Sequence, residues 1–405
     1  MPAVRRPEVN VEGVACRRWM AAAGTALLLG GCLSGGSWVA SIDPRHPSVR
    51  EASWPGVDLV DAPLEAVLPT QPCGDYFLAE VFLDGRGPFL FMLDTGYPRT
   101  QLSTRTAREL SVGRRLNSSE VGPLEVQGSI PFGVQDLAPV GWALGRPIDG
   151  ILGYTVFGEL VQTYDYPGGQ VRVSEAHIPE DLPGVMEMST GDRPWLDASI
   201  GGRTVRLVLD TGYSGAVALA DLRSYDLAVP PRPVGARVRV DGVSFRHGAR
   251  LTHSLELGSL VLHEPPVVDA TGRSLLGQAA MRRLVVSLDP TRGRVRFTLP
   301  DGTSPGTLPM EPLRGTGLAL SPRRDGLEVL AVFPGTSAHA AGVREGDEIV
   351  AVDGVPVAER GCRDVTPSST ADPTRPTILA IDRGGRRFEV EVRSDVLVES
   401  GVSPE

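Results

Sequence analysis

A duplicated segment constrains the fold of this 405-residue chain more than any other feature of its sequence. One apolar run ends in Asp94-Thr95-Gly96, and a second ends in Asp210-Thr211-Gly212, 116 positions later. An apolar pair followed by glycine comes downstream of each triplet, in Ile151-Leu152-Gly153 and in Leu275-Leu276-Gly277, 124 positions apart. Two long matching segments predict two lobes built from one ancestral unit rather than a solenoid of short repeats.

Both copies consist of short apolar runs and turn-forming residues. The chain contains 48 Gly and 35 Pro but only 5% aromatic residues, and this composition favours many short strands joined by turns. We therefore expect a mainly β fold. The net charge is −9 and long basic runs are absent from the sequence, which argues against a nucleic-acid partner.

The two aspartates are the candidate catalytic residues. Each ends an apolar run, where a lone carboxylate is costly to bury. Two carboxylates about 3 Å apart share one proton, because both cannot ionise cheaply. The ionised member can then take a proton from water while the protonated member donates one to a carbonyl oxygen. Their matched placement makes Asp94 and Asp210 the candidates for such a pair, with neither role assigned to one residue. The residues expected to support the two loops are Thr95, Gly96, Thr211 and Gly212.

These triplets, with their downstream partners, resemble aspartic proteases. Each unit has about 100 residues, so the region from about 75 to 300 resembles bacterial retropepsin-like aspartyl proteases with both halves in one chain. The resemblance implies an aspartic endopeptidase that cleaves extended polypeptide, needs no metal or other cofactor, and forms its pair within a monomer. The alternative is a catalytically inactive protein that binds peptides in the same cleft. A lone triplet would equally fit an ordinary turn.

Two details depart from the family pattern. Members usually carry Ala or Ser directly after the triplet, whereas Tyr97 and Tyr213 stand there in this chain. A large ring beside the pair would narrow the cleft or disturb its hydrogen bonds. The flaps that cover the cleft in such proteins are weakly marked, and we place them at about 118–134 and 234–250.

A second module follows residue 305. The segments Gly335–Val343 and Gly346–Gly354 resemble a PDZ domain of the bacterial protease-associated kind, over about 310–395. Such domains add a peptide as an extra strand and hold its C-terminal carboxylate with backbone N–H groups. Prolines oppose the groove helix expected near 363–376, so peptide binding and a purely bracing role both remain open. By position, the carboxylate-binding loop is Gly315, Thr316, Gly317 and Leu318.

The N-terminal segment reads as a targeting signal. Arg17 and Arg18 precede an apolar run that ends in Leu29-Gly30-Gly31-Cys32, far shorter than the about 20 residues that span a bilayer. This ending resembles a bacterial lipobox, which implies acylation of Cys32 and a lipid anchor in the cell envelope. We expect the outer membrane, and an ordinary signal peptide is the alternative. After removal of the signal, Cys73 and Cys362 are the remaining thiols, and a disulfide between them is possible but not required.

The predicted fold is mainly β, with two pseudo-symmetric retropepsin-like lobes followed by a small α+β PDZ-like domain. The predicted divisions are a lipoprotein signal peptide at 1–32, a tether at 33–72, lobe 1 at 73–180, lobe 2 at 181–302, the PDZ-like domain at 310–395 and a tail at 396–405.

Overall fold

The computed structural model describes residues 38–52, 63–111, 113, 115–189, 191–239, 242–362 and 375–401. The fold is mainly β, as the composition predicts. It comprises two lobes, a sheet shared between them and a C-terminal domain. The predicted signal segment and Cys32 lie outside the described residues. No helix within these ranges has the length and apolar character needed to cross a bilayer.

The first lobe contains twelve of the strands and two short helices. In chain order they are β1 (Trp38–Ile42), β2 (Val49–Glu51), β3 (Leu64–Leu68), β4 (Thr70–Cys73), β5 (Tyr76–Leu83), β6 (Arg86–Asp94), β7 (Thr100–Ser103), α1 (Thr104–Leu110), β8 (Arg115–Val121), β9 (Leu124–Gln135), α2 (Ala138–Ala143), β10 (Gly150–Gly153), β11 (Val161–Asp165) and β12 (Gln170–Ser174).

The second lobe repeats much of this order. Its elements are β13 (Val185–Glu187), β14 (Trp195–Ile200), β15 (Arg203–Leu209), β16 (Val217–Leu219), β17 (Leu227–Arg239), β18 (Gly242–Leu251), β19 (Leu255–Leu257), β20 (Leu260–Leu262), β21 (Pro266–Asp269), β22 (Ser274–Leu276), α3 (Gln278–Met281), β23 (Val285–Asp289), β24 (Arg294–Thr298) and β25 (Thr307–Leu308).

Tight hairpins deliver the two strands that end at the aspartates. Asp84 and Gly85 both have positive φ in the turn between β5 and β6, and Gly201 and Gly202 do the same between β14 and β15. Paired positive φ values give the turn twist that matches antiparallel strands. Strands β6 and β15 then run into the lobe cores, where Phe91, Leu93, Leu207 and Leu209 are fully buried.

The main sheets of the two lobes have the same central order. The sheet of lobe 1 contains the run β9-β7-β10-β6-β5, and that of lobe 2 contains β21-β16-β22-β15-β14. Parallel pairs occur at matching places, β10 with β6 and β7 with β9 in one lobe, β22 with β15 and β16 with β21 in the other. The remaining central pairs are antiparallel. The duplication seen in the sequence is therefore a duplication of structure.

A sheet shared by both lobes joins them, in the order β13-β24-β23-β11-β12-β3-β2. At its centre β11 of lobe 1 pairs antiparallel with β23 of lobe 2, with Thr163 opposite Ser287. Val171, Val173, Val286 and Val295 of this sheet are fully buried in the hydrophobic core that spans both lobes. The shared sheet therefore fixes the two lobes against each other.

The predicted tether at 33–72 is wrong for the part that the structure describes. Strand β1 pairs with β9, and β3 pairs with both β12 and β2. Ala66 and Leu68 are 1% exposed, so these apolar residues complete the sheets of lobe 1 and of the lobe junction. Lobe 1 therefore begins well before residue 73.

The C-terminal domain has its own hydrophobic core. Its elements are β26 (Leu313–Gly315), β27 (Leu318–Pro322), β28 (Leu327–Val332), α4 (Ser337–Ala340), β29 (Glu348–Val352), β30 (Val355–Pro356), β31 (Thr377–Arg383), β32 (Arg386–Val392) and β33 (Asp395–Val398). The predicted tail at 396–405 is wrong for its first residues, because β33 pairs with β26 and Val398 is fully buried.

A disulfide and side-chain packing hold the C-terminal domain to the lobes. A disulfide joins Cys73 at the end of β4 to Cys362, 289 positions later, with the Cα atoms 4.7 Å apart. On the other side, Leu313 of β26 packs into the cluster of lobe 2 that contains Tyr213 and Val234. The domain is therefore attached both to lobe 1 and to the β17–β18 hairpin of lobe 2.

Candidate functional site

The two predicted aspartates meet where the lobes face each other. Asp94 is the last residue of β6, and Asp210 follows β15 directly. Their carboxyl groups hydrogen-bond each other. The downstream triplets support this placement, since Gly153 pairs with Asp94 and the Asp210 N–H donates to Leu276 O at 2.8 Å. The structure thus brings together the pair that the repeat predicts.

The threonines hold the two loops with a reciprocal set of hydrogen bonds. The Thr95 N–H donates to Thr211 Oγ1, and the Thr211 N–H donates to Thr95 Oγ1, both at 3.0 Å. Each hydroxyl also donates to a carbonyl of the opposite lobe, Thr95 to Leu209 O at 2.6 Å and Thr211 to Leu93 O at 3.1 Å. Both threonines are 1% exposed, so every one of these polar groups is satisfied without water.

The glycines permit the close approach of the carboxyl groups. A Cβ on Gly96 would overlap the Asp210 carboxyl, and one on Gly212 would overlap that of Asp94. Their backbone N–H groups donate to the aspartate of their own triplet, Gly96 to Asp94 Oδ1 at 2.8 Å and Gly212 to Asp210 Oδ1 at 2.9 Å. Any side chain at either position would push the loops apart.

Burial is the largest cause of the raised pKa of each aspartate in the pair. It raises the pKa of Asp94 well above its ordinary value, and the negative charge of Asp210 raises it further. Burial also raises the pKa of Asp210, while the Gly212 N–H, the Asp94 carboxyl and the charges of Arg237 and Arg273 act in the opposite direction. The pair therefore shares a proton, and titration belongs to the pair rather than to either residue.

The two tyrosines after the triplets pack into their own lobes. Tyr97 contacts the cluster under the sheet of lobe 1 and donates from its hydroxyl to Gln135 Oε1 at 3.3 Å. Tyr213 is 8% exposed, and its hydroxyl accepts a hydrogen bond from Arg246 Nη2 at 2.7 Å. The hydrogen bonds between the loops and within the aspartate pair are intact, so the tyrosines do not disrupt the pair.

Sequence reasoning missed two residues that hold the loops. Arg193, in the segment before β14, donates from Nε to Gly96 O at 2.9 Å. Gln278 at the start of α3 is fully buried and donates from Nε2 to Thr211 O. Its own N–H donates to Tyr213 O at 2.8 Å, just as the Tyr154 N–H donates to Tyr97 O in lobe 1. The only available signal for Gln278 was its place directly after the second downstream triplet.

Only the second predicted flap forms a hairpin that reaches the site within the described chain. Residues 234–250 fall in the long β17–β18 hairpin, from which Arg246 contacts Tyr213. The first prediction, 118–134, falls on the turn between β8 and β9. That turn packs on Pro69, and the Asp43 N–H donates to Pro123 O at 2.8 Å. It is held against lobe 1 and is not a flap.

The predicted carboxylate-binding loop lies between β26 and β27. The Ala338 N–H donates to Thr316 O at 3.2 Å, and the Phe333 N–H donates to Gly317 O at 2.8 Å. Leu318 begins β27, an edge strand that pairs with β28. Residues 363–374, where the groove helix was expected, lie outside the described residues.

Two serine hydroxyls contact histidine rings, as in part of a nucleophilic triad. Ser48 Oγ lies 2.8 Å from His46 Nδ1, and Ser254 Oγ lies 3.4 Å from His263 Nδ1. Elsewhere His177 and His247 contact carboxylates instead. Across the described parts of the chain, no histidine ring contacts both a serine hydroxyl and a carboxylate, the arrangement that a triad requires.

Comparison with known proteins identifies the C-terminal domain. Residues 307–364 match the family model described as PDZ domain, which confirms the domain predicted from the glycine-rich segments. PDZ domains bind peptides. The chain is also similar to a Synechocystis protein named "Putative serine protease HhoA", with 41% identity over 73 residues. The match spans 18% of this chain and 18% of the relative, about one small domain of each.

The comparison corrects the predicted catalytic class. The sequence predicts an aspartic endopeptidase of the retropepsin-like aspartyl class, whereas the relative is named as a serine protease. The aspartic class is therefore withdrawn. The PDZ part of the prediction agrees with the comparison, and the name of the relative contains the word protease.

Proposed function

We propose that this chain is a protease of the bacterial cell envelope whose polypeptide substrate lies over Asp94 and Asp210. One observation carries the proposal. Two buried carboxyl groups, one from each lobe, hydrogen-bond each other at the ends of matching strands. A buried polar pair where two matching lobes meet marks the cleft in which an extended polypeptide would lie.

The finer description of the fold belongs to the same proposal. We assign the two lobes to the retropepsin-like type, with both halves in one chain. The shared central strand order and the matched parallel pairs support this assignment. Because each half supplies one aspartate, a single copy of the chain completes the site. The residues proposed to hold the two loops are Thr95, Gly96, Thr211 and Gly212.

The remaining parts of the proposal concern binding and location. The loop from Gly315 to Leu318 is proposed to bind the C-terminal carboxylate of a peptide, which agrees with its place before the edge strand β27. The sequence ending at Cys32 supports acylation there, and the proposed location is the outer membrane. A lipid anchor of this kind would hold both the site and the PDZ domain close to the membrane surface.

The name of the relative favours a second candidate, a hydrolase with a serine nucleophile. Ser48 and Ser254 are the serines that contact histidine rings among the residues that the structure describes. This candidate requires a serine that reacts covalently with its substrate. The first candidate requires only that the substrate lies over the aspartate pair. A reactive serine is therefore the chemical property that tests the second candidate directly.

The test measures cleavage of an unfolded casein by the mature chain between pH 3 and pH 8, in wild type and in Asp94→Asn and Asp210→Asn. In parallel, a fluorophosphonate probe followed by mass spectrometry reports any reactive serine. Loss of cleavage in both aspartate variants is the result expected if the substrate lies over the pair, and serine labelling separately tests the second candidate. The exposed Asp197→Asn variant is the matched control and should cleave like wild type.

Three outcomes would overturn the proposal. Cleavage that survives both substitutions would remove the aspartates from the site. Labelling of one serine, with loss of cleavage in its alanine variant, would establish the serine candidate. A wild-type chain that cleaves nothing at any pH would leave a peptide-binding protein in place of a protease.

A further inference from the structure

One backbone edge of strand β27 faces lobe 2 rather than the sheet of the PDZ domain. β27 is the edge strand of that sheet and pairs with β28 on its other side. Across this pairing the Phe333 N–H donates to Gly317 O at 2.8 Å. Because successive residues of a strand direct their backbone groups to opposite sides, the Leu318 carbonyl points away from β28. This is the edge on which a PDZ domain accepts a peptide as an extra strand.

Strand β17 of lobe 2 lies along that edge of β27. The backbone of Gly235 comes so close that a Cβ there would lie 3.8 Å from Leu318 O. β17 is itself an edge strand, at the end of the main sheet of lobe 2. All five residues of β27 are buried, which fits a covered rather than an open edge. The peptide edge of the PDZ domain is therefore occupied by a segment of the same chain.

The sequence of β17 is poorly suited to pairing with β27. The strand contains Pro230, Pro231 and Pro233, and proline has no N–H to donate. Prolines on an edge strand prevent continuous pairing with a neighbouring strand. An extended peptide of other residues carries an N–H at every position, and its carboxylate can also bind the loop from Gly315 to Leu318. Such a peptide can therefore form more hydrogen bonds along β27 than β17 can.

β17 also belongs to the hairpin that reaches the aspartate pair. From β18, Arg246 donates to the Tyr213 hydroxyl at 2.7 Å, and the Tyr213 N–H donates to Asp210 O at 3.2 Å. On the side of lobe 1, β17 lies beside α2, which also approaches β27. Val234 of β17 packs with Leu313 of β26. The hairpin therefore contacts both lobes and the PDZ domain at once.

We propose that β17 is a displaceable occupant of the peptide edge of the PDZ domain. An extended peptide with a free C-terminal carboxylate takes its place on β27, and the β17–β18 hairpin then moves away from the aspartate pair. The docked hairpin restricts entry of polypeptide into the cleft, so peptide binding to the PDZ domain opens the site between the lobes. This inference rests on the proposed function, because it takes the cleft as the substrate site and the loop from Gly315 to Leu318 as the carboxylate site.

Hydrogen exchange followed by mass spectrometry tests the displacement without relying on cleavage. The mature chain is mixed with a pool of ten-residue peptides of varied sequence that end in Val, Leu, Ile or Phe with a free carboxylate. The same pool with amidated C-termini is the control, and it also reports any effect of peptides that enter the cleft. We expect the free-acid pool to slow amide exchange in β27 and to speed it about threefold or more in β18. The amidated pool should do neither.

Two valine variants assign the effect to the contact between the hairpin and the PDZ domain. Val234→Ala removes methyl groups that pack with Leu313. The hairpin then docks less tightly, and the free-acid pool should protect β27 at an about threefold lower concentration. Val243→Ala, at an exposed position on β18, is the matched control and should leave that concentration unchanged. A pool that leaves β27 unprotected, protection of β27 without faster exchange in β18, or equal behaviour of the two variants would overturn the inference.

The inference and the proposed function fail in different ways. If casein cleavage requires Asp94 and Asp210 but the free-acid pool neither speeds exchange in β18 nor raises cleavage, the displacement is wrong and the protease stands. If the pool speeds exchange in β18 while wild type cleaves nothing, the peptide displaces the hairpin and the protease is wrong.

Discussion

Thr163 and Ser287 face each other across the antiparallel pairing of β11 with β23, and their hydroxyl oxygens lie 2.9 Å apart. The two residues are 124 positions apart, the offset that also relates the downstream triplets. Their neighbours pair with the same symmetry, Gln162 with Leu288 and Tyr164 with Val286. The pseudo-twofold axis that relates the lobes therefore passes between these hydroxyls.

Removing one of these hydroxyls should lower the free energy of unfolding more than removing both. Thr163 is 8% and Ser287 3% exposed, so Ser287→Ala leaves a buried hydroxyl unsatisfied and should lower the free energy of unfolding by about 1–2 kcal/mol. Adding Thr163→Val, which keeps the side-chain shape, should recover much of that loss. Urea unfolding of the two single variants and the double variant gives the coupling energy. Additive single effects would mean that the hydroxyls do not interact.

The aspartate pair should destabilise the fold as the pH rises. The folded chain holds the Asp94 proton more tightly than the unfolded chain does, because burial and the charge of Asp210 raise its pKa. Stability contributed by this proton is complete below the ordinary aspartate pKa of about 3.9 and is lost as the pH rises towards the folded value. Each unit of raised pKa corresponds to about 1.4 kcal/mol.

Asp94→Asn removes this titration and so should gain stability relative to wild type between pH 4 and pH 7.5. The measurement is urea unfolding at several pH values in that window. Asp197→Asn is the control, because Asp197 is exposed on β14 and its variant should follow wild type at every pH. Parallel curves for wild type and Asp94→Asn would show that the pair carries no raised pKa.

The sequence was sufficient to find the aspartate pair because both strand-and-triplet units are local. An apolar run followed by Asp-Thr-Gly is recognisable from a few consecutive residues. Its duplication predicts that the two aspartate loops lie against each other. The turns at Gly85 and Gly201 were equally local, since a hairpin of this type requires positive φ.

The parts that the sequence did not reveal depend on distant partners. The sequence of β3 was interpreted as part of a tether because its residues carry no pattern that identifies β12 as the strand it pairs with. The flap of lobe 1 was misplaced because the turn at Gly122 corresponds to the turn at Gly258, outside the β17–β18 hairpin.

The disulfide should hold the PDZ domain to lobe 1. Cys73 is 2% exposed and packs with Met92 and Leu137, and its partner Cys362 contacts the same cluster. A link that closes a long loop restricts the unfolded chain, so replacing both cysteines by serine should lower the free energy of unfolding by about 2–5 kcal/mol. Thermal unfolding with and without a reductant measures this, and the reductant should have no effect on the double serine variant. Wild type that is insensitive to reduction would contradict the prediction.

The threonine hydroxyls should matter for stability because of the backbone groups that they satisfy. Thr211→Val keeps the side-chain shape but removes the acceptor of the Thr95 N–H and the donor to Leu93 O. Two buried backbone groups then lose their partners, and the free energy of unfolding should fall by about 2–4 kcal/mol. Thr211→Ser retains the hydroxyl and should cost only about 1 kcal/mol for the lost methyl group.

A matched control lies at the start of β7, four residues before α1 begins. Thr100 is 3% exposed, and its hydroxyl is buried with no hydrogen-bond partner among the described residues. Thr100→Val therefore removes an unsatisfied polar group and should leave stability unchanged or raise it by about 1 kcal/mol. Chemical unfolding of Thr211→Val, Thr211→Ser and Thr100→Val measures the three changes in the free energy of unfolding. If Thr211→Val and Thr100→Val change stability alike, side-chain shape rather than the reciprocal hydrogen bonds holds the two aspartate loops together.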